Sequence, residues 1–99
     1  MRVLFERTGG FAGLKLQGIL DSAALSRTQA RRLKELLRQS RFFELPPLVK
    51  SADKGIDRFC YKITVETENG THTVEAGEAA VPIELRPLLD YLTHAFVVR

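Results

Sequence analysis

A single cysteine, Cys60, and two histidines, His72 and His94, stand in a chain of 99 residues. One cysteine excludes an intrachain disulfide framework and fits a reducing compartment. The same scarcity argues against a metal site of the protein's own, because a bound zinc needs three or four clustered His, Cys or carboxylate ligands. No apolar run approaches the ~18 residues that read as a membrane span, and Met1 to Glu6 reads as amphipathic strand with no secretory apolar stretch behind it. No Gly-x-Gly-x-x-Gly junction or phosphate loop is present, since Gly9, Gly10 and Gly13 are followed by a strand pattern and not by a helix. There is also no internal repeat and no low-complexity tract. The expectation is a cytoplasmic protein with no membrane contact, no metal and no cofactor.

What is present suits one domain spanning residues 1–99, with 44% apolar residues for a single core. Val3 and Phe5 alternate with Arg2, Leu4 and Glu6, and Leu14, Leu16, Gly18 and Leu20 alternate with Lys15 and Gln17. These are two period-2 segments joined by Thr8-Gly9-Gly10-Phe11-Ala12-Gly13, and they predict an antiparallel hairpin. Ser26, with Gln29 three residues on, reads as the start of a helix over about 27–39, carrying Ala30, Leu33, Leu36 and Leu37 at helical spacing. Phe42, Phe43 and Leu45 are expected to fold back on the core, and Pro46-Pro47 to extend the chain into a polar loop over 48–57.

Phe59, Tyr61, Ile63 and Val65 alternate with polar partners up to Asn69-Gly70, the dipeptide of a type I′ hairpin turn. That turn predicts Glu68 opposite Thr71, Val65 opposite Val74, Ile63 opposite Ala76, and His72 as an exposed partner of Thr67. A last helix follows over the segment 81–96, with Pro87 in its first position. The predicted fold class is α+β, a four-stranded antiparallel sheet with one face covered by two helices, in the order β-β-α-β-β-α.

Catalytic pairings fail on this register. Cys60 and His72 fall on opposite faces, whereas a thiol dyad needs hydrogen-bond contact. Asp53, Asp57, Glu66, Glu68 and Glu75 lie on a loop or a solvated strand face with no apolar pocket to raise a pKa. His94 sits in the last turn of the final helix, where it complements the helix dipole. The chain reads as a non-enzyme.

Charge is uneven. The net charge is +3, yet Arg27, Arg31, Arg32, Lys34, Arg38 and Arg41 face Glu35 alone within 26–41, so the remainder is net acidic. Arg27, Arg31, Lys34 and Arg38 form one helical stripe. It reads as a solvated face, as a surface for an acidic protein, or as a nucleic-acid-binding helix over 27–38.

Gly9-Gly10-Phe11-Ala12-Gly13, Phe42-Phe43-Glu44-Leu45-Pro46, Asp57-Arg58-Phe59-Cys60-Tyr61-Lys62-Ile63-Thr64-Val65 and Leu85-Arg86-Pro87-Leu88-Leu89-Asp90-Tyr91-Leu92 occur in order across nearly the whole chain. Together they resemble the emfourin family, small inhibitors of thermolysin-like zinc metalloproteases. The resemblance implies a protein-binding module; the hypothesis added to it is that the chain occupies the active-site cleft of such a protease, and the chain is expected to be monomeric when free. Those enzymes favour a bulky apolar residue just after the cleaved bond. Loop residues Gly9, Gly10, Phe11, Ala12 and Gly13 are therefore the candidate contact, with Phe11 as anchor unless it folds back to cap its own sheet. Arg31, Arg38, Asn69 and Gly70 are candidate accessory contacts, and the 48–57 loop is a rival surface.

Overall fold

The computed structural model describes residues 1–9, 15–49 and 59–97. Strand β1 (Arg2–Gly9) pairs antiparallel with β2 (Leu16–Asp21) on one side. On its other side it pairs antiparallel with β4 (Phe59–Thr67), which in turn pairs with β5 (Gly70–Gly77). A short β3 (Leu48–Val49) lies parallel to β5, so the sheet order is β2-β1-β4-β5-β3.

Five strands of mixed direction correct the expected four antiparallel ones. The extra strand arises from Pro46-Pro47: the extended chain leaves the Pro47 carbonyl to accept from the Glu75 amide at 2.8 Å, which sets Leu48 and Val49 against Glu75 and Ala76. Two residues are too few to show a period, and the next residues in the sequence are polar.

The β4–β5 register also differs from expectation, by two positions. Thr67 pairs with Gly70, Val65 with His72, Ile63 with Val74 and Tyr61 with Ala76. The turn residues are Glu68 and Asn69, and Gly70 carries the positive φ of +136°. Arg41 is the one described non-glycine residue with positive φ, so Asn69 does not take the conformation a type I′ turn requires. The Thr67 hydroxyl accepts from the Asn69 amide at 3.2 Å and lies 3.3 Å from the Gly70 carbonyl, to which it donates. This local bonding competes with the Asn-Gly preference. Because the slip is even, every side chain keeps its face, and Ile63, Val65, Val74 and Ala76 remain in the core.

Helix α1 (Arg27–Ser40) starts with the expected capping box. The Ser26 hydroxyl accepts from the Gln29 amide and the Gln29 side chain accepts from the Ser26 amide, each at 3.1 Å. It ends on Arg41 in the left-handed region. Helix α2 (Arg86–Val97) continues from a 3-10 turn over Ile83–Leu85, which places Pro87 second in the helix and not first. Leu33, Leu36 and Leu37 of α1 and Leu88, Leu89 and Leu92 of α2 bury against Val3, Phe5, Ile63 and Val65 in one cluster. Of the phenylalanine pair only Phe42 is buried; Phe43 is 53% exposed.

His72 is corrected more sharply. It is half-buried opposite Val65, its Nε2 lies 3.0 Å from the Leu45 carbonyl, and its ring packs edge-on against Phe42. The two-position slip leaves it on the same face but moves it along β4 from beside Thr67 at the hairpin tip to beside Val65, where the Phe42–Leu45 turn covers it.

Candidate functional site

The glycine loop begins where the sheet ends. Gly9 pairs with Phe59 in the last β1–β4 row and has a φ of +99°, a conformation that a side chain would strain. Gly10, Phe11, Ala12 and Gly13 lie outside the described residues, as does the question of where the Phe11 side chain points. Their anchors are well placed. β1 is held between β2 and β4, so the chain enters the loop from an interior strand and returns into the edge strand β2.

A second segment leaves from the same end. Val49 stands opposite Ala76, and Phe59 opposite Gly9, so both ends of the stretch 50–58 lie in the rows beside the glycine loop. The residues of 50–58 themselves are outside the described set. The described flanks of the two rival segments, Gly9 for one and Val49 and Phe59 for the other, thus lie toward one end of the sheet.

The described floor of this end is built from β1 and β4. The Arg7 guanidinium lies over the Phe59 ring, 4.4 Å from its centroid, and Phe59 in turn leans on Tyr61 at 6.4 Å. Burial pushes the Tyr61 phenol up from its ordinary value, and the nearby Glu78 carboxylate adds to the shift. Glu78 opens the turn after β5, and its Oε2 is buried with no hydrogen-bond partner among the described residues. Sequence reasoning missed the Arg7–Phe59 contact because the two residues are far apart in the chain and joined only by strand pairing. The one signal available was an aromatic beside the strand that comes after the loop.

The remaining predicted contacts lie elsewhere. Asn69 and Gly70 form the tip at the opposite end of the sheet, beyond the row in which Arg2 pairs with Asp21 and Glu66. α1 comes soon after Asp21, and Phe42 after it packs on His72, one row from Arg2. Arg31 and Arg38 lie on the outer face of α1, a different element from both the Asn69-Gly70 tip and the β1 end that carries Gly9. Within the stripe, Glu35 accepts from Arg38 Nε at 3.0 Å, from the Arg38 terminal nitrogen and from Gln39 Nε2 at 3.1 Å. The Arg38 hydrogen bonds hold the Glu35 carboxyl below the usual carboxylate range. Arg27, Arg31 and Lys34 have no ion pair among the described residues and surround Ala30.

Cys60 is exposed in the row of Thr8 and Gly77, whereas His72 faces the core several rows away. The two cannot form a dyad. Among the described residues no three His, Cys, Asp or Glu side chains gather as a metal site, and no helix is long and apolar enough to cross a membrane.

The family model described as Emfourin matches residues 5–93. No curated protein and no solved structure matches the chain.

Proposed function

This chain belongs to the emfourin family, and we propose that it inhibits a thermolysin-like zinc metalloprotease by filling the protease's active-site cleft. The observation that carries this reading is the extent of the family match, which takes in all of β4, β5 and α1, most of β1 and α2, and both segments at the Gly9 end of the sheet. The family is one of inhibitors, so the chain is read as a binding protein and not as an enzyme.

The loop over 8–13 is the part we assign to the cleft. Its first glycine has a backbone that side chains rarely adopt, and its base is held by β1, which is paired on both sides, and by the Arg7–Phe59 stack. A base fixed before binding lowers the ordering cost of association. Phe11 then supplies the one large apolar group of the loop, and the partner's own zinc is shielded sterically. No group of this chain needs to do chemistry.

The test is a titration of a thermolysin-like protease with wild type and Phe11→Ala. Loss of a central aromatic anchor is worth about 2 kcal/mol or more, roughly a thirtyfold weaker inhibition constant. Equal inhibition by the two proteins, with the melting temperature unchanged, would remove the loop from the site. Inhibition that fails for wild type against every such protease would remove the target class itself.

A second reading rests on Arg27, Arg31 and Lys34, which lack ion pairs among the described residues. A nucleic-acid partner on this stripe requires binding that weakens steeply with salt. The stripe is shortened, because Arg38 is already held by Glu35, and this reading stands second.

A further inference from the structure

The two edges of the sheet are unlike. β3 closes one edge with two residues directly after Pro46-Pro47, a short and proline-guarded edge of the kind that blocks further strand pairing. β2 closes the other with six residues, Leu16–Asp21, in unbroken register with β1 and with no proline, bulge or charge between Leu16 and Leu20. Nothing among the described residues pairs with its outer side.

One hydrogen bond fixes which backbone groups face outward. The Ser22 amide donates to the Met1 carbonyl at 2.9 Å, one row beyond Arg2–Asp21. In an antiparallel ladder the bonded rows alternate. Leu20, Gly18 and Leu16 therefore direct their amides and carbonyls to β1, while Asp21, Ile19 and Gln17 direct theirs away from the sheet. On the sheet face turned away from the helices, Ile19 is 53% exposed.

We propose that this edge pairs with the same edge of a second copy of the chain, antiparallel about a two-fold axis at Gly18. The occupant is chosen by self-complementarity. With Gly18 on the axis, Lys15 lies opposite Asp21 of the second copy, and Asp21 opposite its Lys15, two opposite-charge pairs generated by one operator. Gln17 and Ile19 of each copy then form the hydrogen-bonded rows, which are the residues whose backbone groups point outward. On the helix side half-buried Leu16 meets Leu20 of the second copy, so apolar meets apolar there as well. Gly18 occupies a non-hydrogen-bonded row, where strands approach most closely, and it carries no side chain on its outer rim while Phe96 covers it from the helix layer.

The charged groups that face this contact are few. Lys15 already reaches Glu6 at 3.5 Å on the same sheet face, and the Asp21 carboxylate accepts from the Ala23 amide at 3.0 Å. Each keeps further hydrogen-bonding capacity for the opposing copy. A six-residue strand pair buries less than the ~1,200 Å² of standard stable interfaces, so the dimer is concentration-dependent. It leaves the two Gly9 loops at opposite ends, and it does not depend on what those loops bind.

The test is sedimentation equilibrium of the full chain over a concentration series, together with amide hydrogen exchange. Self-association should rise with concentration, and the Gln17 and Ile19 amides, fast in dilute protein, should become protected in concentrated protein. Ile19→Lys should raise the dimer dissociation constant at least tenfold with the circular dichroism spectrum retained. Lys15→Asp should weaken the dimer, and Lys15→Asp combined with Asp21→Lys should restore it. A monomer across the whole series overturns the proposal. So does protection of Gln17 and Ile19 that arises only on adding protease, which would give the edge to the target. Phe11→Ala leaves the dimer unchanged, so failure here and failure of the inhibitor reading are separate results.

Discussion

Phe96 lies directly over Gly18: a Cβ added at position 18 would come within 2.3 Å of the Phe96 ring. The ring is held there by stacking on Phe5, at 5.9 Å between centroids. α2 thus seats on β2 through a glycine-shaped recess. Gly18→Ala would normally gain a few tenths of a kcal/mol from the unfolded chain, but the overlap outweighs that gain. We expect Gly18→Ala to destabilise by about 1–3 kcal/mol in denaturant melts. The cost should shrink in a Phe96→Leu background. Equal costs in the two backgrounds would mean that the ring is not the obstacle.

His72 holds the Phe42–Leu45 turn against β5 through its bond to the Leu45 carbonyl at 3.0 Å. With the ring removed, that carbonyl loses its partner and Phe42 loses an edge contact. His72→Ala is expected to cost about 1–3 kcal/mol, with the amides around Leu45 exchanging faster. A substitution at an exposed hairpin position, as the sequence suggests, would stay within about 0.5 kcal/mol, so the melt separates the two placements.

Glu35 offers a pH test. Its carboxyl is lowered chiefly by hydrogen bonds from Arg38, so the native state holds the proton less tightly than the unfolded chain. The stabilisation is therefore present above the ordinary carboxylate range and fades as pH falls through the folded value. The pair is solvent-exposed, and the effect on global stability is small. A carboxyl-carbon titration by NMR should place Glu35 below the ordinary glutamate value, and Arg38→Gln should raise it toward that value. No movement on that substitution would show that the hydrogen bonds are not made in solution.

Arg27, Arg31 and Lys34 bear on association more than on affinity if the protease rim is acidic. Replacing all three by Gln should slow association by on the order of tenfold at low salt and flatten its salt dependence. Dissociation should change little, since exposed charges outside the desolvated contact act mainly on the approach of the two proteins. An unchanged association rate and salt slope would make the stripe a plain solvated face.

Local signals were enough for much of this molecule. Hydrophobic period alone marks β1, β2, β4, β5 and α1, because each buries one face and leaves the other wet. Ser26 and Gln29 place the start of α1 because a capping box is complete within four residues. The assignment of Cys60 and His72 to opposite faces survives a wrong register, since an even slip preserves parity.

Other features depend on residues distant in the chain. β3 exists because Pro47 meets Glu75, and His72 is covered because its ring meets the Leu45 carbonyl, 27 residues away in the chain. The meeting of the residues that flank the two rival segments results from the pairing of Gly9 with Phe59.

The sequence by itself determined which residues are apolar on which face, where the first helix begins, and the ordered motifs that mark the family. Those properties are carried by spacing along one segment. Tertiary structure alone decided the fifth strand, the half-buried role of His72, the glycine recess under Phe96 and the contrast between a guarded β3 edge and an open β2 edge. Each of these is a relation between segments far apart in the chain, set by which strands pair and in which row, and no local pattern encodes it.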